Sequence, residues 1–197
     1  MLFKLKFMRF SVLCIICLLL SHFTFSQFEY GIKGGLNFDS AGKISKLNND
    51  VYTDGSLKSE SGFNLGVYAQ VDLLILYLRP ELQYTNVKRS FEELDVTSSR
   101  IELPLSLGYK VLGPLSIFAG PSIFYYVSNK TNANSFDKIK NKFNLGHHLG
   151  LRLNLGNLNF DFRYEKGNSS IITDLENFKN TDLRPNQIVL GMSLKLN

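Results

Sequence analysis

From Phe28 to Asn197 apolar and polar residues alternate at nearly every second position, the period of a strand and not of a helix. The stretch Ser99 to Val127 shows the pattern whole. Ile101, Leu103, Leu105, Leu107 and Tyr109 take one face, with Glu102, Pro104, Ser106, Gly108 and Lys110 between them. Val111-Leu112-Gly113-Pro114 supplies a tight turn, and Leu115, Ile117, Ala119, Pro121, Ile123, Tyr125 and Val127 resume the alternation. The same rhythm predicts further strands over 28–38, 63–72, 76–86, 143–155, 158–165 and 187–196, eight in all.

The joins discriminate between architectures. Residues 39–60, 88–97, 129–141 and 168–184 are long and rich in Asn, Ser, Asp and Lys, whereas those near 72–75, 111–114 and 156–157 are short. Alternating long and short joins predict an eight-stranded antiparallel up-and-down transmembrane β-barrel, elaborated at one end. Ten residues at about 3.3 Å each, tilted about 45°, rise roughly 23 Å, close to the apolar band of an outer-membrane barrel. Phe38, Phe63, Tyr84, Tyr109, Tyr125, Phe143 and Tyr164 fall near strand ends, where aromatic girdles meet water. No stretch has the spacing of a long amphipathic helix; Thr173 to Phe178 is expected to make one helical turn.

The chain's beginning has a different character. Lys4, Lys6 and Arg9 precede the apolar run Phe10 to Leu20, and Thr24-Phe25-Ser26 places small residues at the −3 and −1 positions of a cleavage site. This predicts a signal peptide over 1–26 and a mature barrel over 27–197, exported to the outer membrane of a Gram-negative bacterium. Cys14 and Cys17 both lie in the leader, so neither a disulfide nor a cysteine metal site is expected downstream; bulky Leu13 and Ile16 before them argue against a lipoprotein anchor. The formal charge of +5 is mostly the leader's, since cleavage leaves 19 basic against 17 acidic residues. With these scattered among both signs, nothing points to nucleic acid.

YLRPELQY (Tyr77–Tyr84), RIELPLSLGYK (Arg100–Lys110) and GPLSIFAGPSIFYYV (Gly113–Val127) together resemble the PorT-like outer-membrane β-barrel family, and FEYGIKGGLNF resembles its first strand. The resemblance runs over residues 27–197. It implies a Gram-negative outer-membrane barrel without a reaction of its own, some members being linked to secretion machinery, and it carries over no functional residue. The chain ends in Leu194-Lys195-Leu196-Asn197, without a terminal aromatic. Pro80, Pro104 and Pro121 fall inside strands, where each removes a ladder donor; local bulges or widened pairing are expected there.

With apolar residues outward, Glu29, Lys33, Arg79, Glu81, Glu102, Lys110, Arg152, Asp161, Arg163, Glu165 and Lys195 converge inside. Eight strands leave an interior that side chains fill, so these read as a salt-bridged core and not as a pore lining. The only histidines of the mature chain are His147, facing lipid, and His148, facing the core and expected in the polar network. No catalytic, cofactor-binding or metal-ligating constellation is found, and no enzyme or cofactor is expected. The expected partners are the lipid bilayer and an envelope protein docking through loops 39–60, 88–97, 129–141 and 168–184; the first of these carries Lys43, Lys46, Asp50, Asp54, Lys58 and Glu60. Period alone does not say which face is inside. The rival reading is a soluble, lipocalin-like periplasmic carrier whose apolar face surrounds a small ligand.

Overall fold

The computed structural model describes residues 28–39, 43–48, 51–91, 95–131, 142–168, 172–175, 178–182 and 186–197; the leader expected over 1–26 lies outside them. Eleven strands follow in order: β1 (Phe28–Asp39), β2 (Lys43–Asn48), β3 (Val51–Leu73), β4 (Leu76–Phe91), β5 (Asp95–Leu112), β6 (Leu115–Thr131), β7 (Phe143–Leu155), β8 (Leu158–Gly167), β9 (Ile172–Leu175), β10 (Phe178–Asp182) and β11 (Asn186–Lys195). Eight of them, β1, β3 to β8 and β11, pair antiparallel with their neighbours. The ring closes on β1, which pairs β11 from Gly31↔Lys195 to Asp39↔Gln187 and β3 from Phe28↔Val71 to Asn37↔Gly62. Closure leaves none of the eight with an open edge, the condition lipid imposes on a sheet.

Alternation assigns the two faces. In β7 the outward set Phe143, Leu145, His147, Leu149, Leu151, Leu153 and Leu155 is exposed, while Asn144, Gly146, His148, Gly150 and Arg152 between them are buried. The same division holds around the barrel, with Leu65, Leu107 and Leu149 more than half exposed and Arg79, Glu102 and Glu165 sealed at 0%. The apolar-inside carrier is thereby overturned, because burial of this kind makes sense only where the outer solvent is hydrocarbon. Of the expected girdle, Phe38, Phe63, Tyr84, Tyr109, Tyr125 and Phe143 point outward; Tyr84 and Tyr164 turn their hydroxyls onto Ser99 Oγ (3.0 Å) and Asn186 Oδ1 (2.8 Å).

The expected long loops are shorter than their composition implies. Lys88 pairs Thr97 and Ser90 pairs Asp95, so most of 88–97 is hairpin. Within 39–60, β2 folds back on the start of β3, from Lys43↔Ser56 to Asn48↔Val51. β6 runs on to Thr131, paired with Val96, and the remainder of 129–141 lies outside the described residues. Within 168–184, β9 pairs β10, which replaces the helical turn expected over Thr173 to Phe178. The cause is common to all four. Beyond the lipid a strand needs no apolar face, so ladders continue through polar residues where hydropathy carries no signal; around β9 and β10, Ile171, Ile172, Thr173 and Thr181 are β-branched and favour strand.

The prolines act by widening. Ladder pairs lapse between Tyr68↔Glu81 and Val71↔Leu78, between Pro80↔Leu105 and Gln83↔Glu102, and between Pro104↔Ser122 and Leu107↔Ala119, each resuming in the same register. The missing donors open the seam without inserting a residue. Bulges occur elsewhere, between Ser99 and Arg100 and between Lys110 and Leu112.

Four glycines, Gly31, Gly108, Gly146 and Gly150, lie against aromatic rings. Gly108 pairs Tyr77 and Gly150 pairs Phe118, and a Cβ on either glycine would overlap the ring opposite. Covering a strand glycine with a cross-strand aromatic repairs the packing that a missing side chain forfeits. Gly108→Leu is therefore expected to destabilise the barrel by about 1–3 kcal/mol through overpacking, and Tyr77→Ala in the same chain to restore part of the loss. Urea titrations of folded protein in lipid vesicles measure both.

Candidate functional site in the barrel interior

Alternation on the eight strands delivers five cations and four carboxylates into the described interior: Lys33, Arg79, Arg100, Arg152 and Arg163 with Glu81, Glu102, Asp161 and Glu165, all buried. Charges in such a space persist only when each is paired and hydrogen-bonded. Glu81 is the hub. Its Oε1 accepts from Arg79 Nε at 3.0 Å and lies 3.7 Å from Arg152 Nη2, and its Oε2 accepts from Arg163 Nη1 at 3.0 Å and from the Lys33 ammonium. Asp161 takes Arg152 in a two-pronged pair, Nε to Oδ1 at 2.6 Å and Nη2 to Oδ2 at 2.8 Å, which matches the planar fork to the carboxylate.

From this hub the network climbs toward the elaborated end. Arg163 Nη2 donates to Gln83 Oε1 (3.3 Å), Gln83 donates to Glu102, and Glu102 accepts from Arg100 Nε. Arg100 Nη2 donates to Gln187 Oε1 (2.6 Å), whose Nε2 donates to Glu165 Oε2 (2.8 Å). Rings stack on the guanidiniums: Arg79 lies 3.5 Å over Tyr68, and Arg152 sits 5.3 Å from Tyr77 and 4.9 Å from Phe118. Such stacking suits a weakly hydrated, delocalised cation in a dry interior. Toward the other end two partly exposed pairs mark the rim, Lys110 with Asp72 at 2.8 Å and Lys195 with Glu29 at 3.2 Å.

The arrangement nearest to a catalytic one lies on β5, β6, β7 and β8. Ser122 Oγ donates to Glu165 Oε1 (2.6 Å), so it accepts from His148 Nδ1–H (2.8 Å); Nε2 is then left to accept from Ser106 Oγ (2.9 Å). This Ser–His–Ser–Glu chain contains the partners of a nucleophilic site but not its access. Ser106, Ser122 and Glu165 are wholly buried, and Phe118 packs 5.9 Å from the imidazole. Every hydrogen-bonding atom of the ring is spent on holding four strands together.

Of the eleven charged residues expected inside, eight are buried in the interior and Glu29, Lys110 and Lys195 pair at its rim; His148 joins the network as expected while His147 faces outward. Arg100 escaped sequence reading because apolar alternation on its strand begins at Ile101; its shared parity with Glu102 is the signal that finds it. Gln70, Gln83 and Gln187 were also missed, since a neutral amide on the inner face looks like any polar strand position. Among the described residues no His, Asp and Glu gather as a metal site.

A closed eight-stranded barrel with an apolar exterior and charged interior agrees with the family comparison, in which residues 10–195 match the model described as outer membrane protein beta-barrel domain. The chain belongs to this family. It is an integral β-barrel protein of the Gram-negative outer membrane. Solved structures similar to it include Neisserial surface protein A, at 18% identity and a TM-score of 0.53, with 85% of this chain and 97% of that chain covered. The outer membrane protein OprG from Pseudomonas aeruginosa is similar at 14% identity and a TM-score of 0.50, with 86% and 96% covered. At these identities the likeness is one of fold. No curated protein matches the sequence.

Proposed function

We propose that this outer membrane β-barrel is a non-enzymatic, non-conducting envelope component whose work is done by the hairpins it raises beyond the lipid, docking a partner protein of the envelope. The observation that carries this reading is the sealed interior: Arg79, Arg100, Glu102, Phe124 and Tyr126 are all at 0% exposure, which leaves no lumen for solute among the described residues. The extension of β3 to β6 past the apolar belt supplies the surface. The PorT-like resemblance of residues 27–197 favours a place beside secretion machinery, and the leader pattern favours export with cleavage after Ser26.

In planar lipid bilayers the purified mature protein is expected to show no discrete conductance steps; regular unitary steps would overturn the non-conducting reading. A photocrosslinker at Glu93, in the expected loop 88–97, is expected to capture one envelope protein in intact cells. The absence of any adduct from that loop and the three others would remove the docking role.

A further inference from the structure

The lipid-facing wall of the barrel is not uniform. On β5, β6 and β7 the outward residues Leu107, Ala119 and Leu149 stand in one ladder row, and the alanine leaves a notch between two leucines. The notch opens into an apolar groove of about 660 Å³, walled by Ile117, Leu151, Phe162 and Tyr164. One step up the strands, toward the elaborated end, the next outward row replaces apolar residues with Pro121, His147 and Lys166, which pair across β6, β7 and β8. Lys166 makes no ion pair among the described residues, and the outward residues of β6, β7, β8 and β11 include no carboxylate there. Asn168 stands beside it, its Oδ1 2.8 Å from His147 Nδ1, which leaves its amide nitrogen to donate.

An apolar slot one outward row, about 7 Å of strand, below an ammonium that has no ion pair among the described residues matches the two ends of one molecule, an acyl chain and the phosphate that heads it. We infer that the groove at Ala119 holds an acyl chain of an anionic lipid of the leaflet at the elaborated end, with the headgroup phosphate on Lys166 and the Asn168 amide. The charge complementarity selects the occupant: zwitterionic lipid fills the slot as readily but gains little from the cation, and a second barrel would bring no anion to it. A single surface cation favours an anionic headgroup about fivefold.

The test is native mass spectrometry of the full mature barrel released from mixed micelles of phosphatidylglycerol and phosphatidylcholine. One phosphatidylglycerol is expected to stay bound, preferred about fivefold. Lys166→Gln should abolish the preference and keep the lipid, Ala119→Leu should lose lipids of both kinds, and Lys88→Gln, on the outward face of β4 away from the groove, should change neither. The heat-dependent gel shift of each variant reports its folding. Equal retention of the two lipids by the wild type, an unaltered preference in Lys166→Gln, displacement by inorganic phosphate alone, or a dimer that Ala119→Leu dissolves would each overturn the assignment.

Discussion

Replacing Glu81 with glutamine is expected to cost about 3–5 kcal/mol of folding free energy, the range for breaking a buried ion pair by removing one partner. The change preserves shape and removes one charge. Four cations, Lys33, Arg79, Arg152 and Arg163, then lose the shared carboxylate charge, and one of its two accepting oxygens gives way to a donor. Asp161 still holds Arg152, but the other three face each other across a dry interior whose described charge rises from five cations against four carboxylates to five against three. Lys33→Met in the same chain lowers that excess and is expected to recover part of the loss. Glu29→Gln is the contrast. Its partner Lys195 is about one-third exposed at the rim, where a screened pair contributes about 1 kcal/mol or less. Urea midpoints in lipid vesicles, read at constant slope, separate the three outcomes; equal small shifts for Glu81→Gln and Glu29→Gln would mean that the interior is wet.

What the sequence discloses about this fold follows from where each strand meets lipid. Leu103, Leu105 and Leu107 announce their strand because hydrocarbon demands an apolar residue at every outward position. Where β4 and β5 leave the lipid that demand stops, and Lys88↔Thr97 and Ser90↔Asp95 pair without any hydropathic mark. Arg100 was lost at that boundary, and with it the link from Glu102 to Gln187. The periodicity placed Glu81, Arg163 and His148 on one face, but which of them touch depends on the stagger of strands around the ring, and alternation is blind to that. Pro80, Pro104 and Pro121 announced widened seams because a missing donor is a local property. The bulge between Ser99 and Arg100 has no such residue to announce it.

The direction of the two faces has its own decisive experiment, in which position along one strand sets the expected cost. Leu105 lies midway along the outward row of β5 that runs from Ile101 to Val111, and Val111 lies at its end beside the short turn to β6. An arginine on the lipid face costs about 2–4 kcal/mol at the bilayer midplane and about 0–1 near the interface. Leu105→Arg should therefore destabilise the vesicle-folded barrel by the larger amount, and Val111→Arg by the smaller, although the two leucine and valine side chains are similarly exposed at 40% and 45%. Only the surrounding solvent separates them. In water both positions would be exposed surface sites, where substitutions usually shift stability by less than about 0.5 kcal/mol, so equal and small effects would deny the bilayer its place around this wall. A graded cost along Ile101, Leu103, Leu105, Leu107, Tyr109 and Val111, peaking at the middle, would map the hydrocarbon thickness onto β5. The groove beside Ala119, one strand away, would then lie at a measured depth, and Lys166 at a measured height above it.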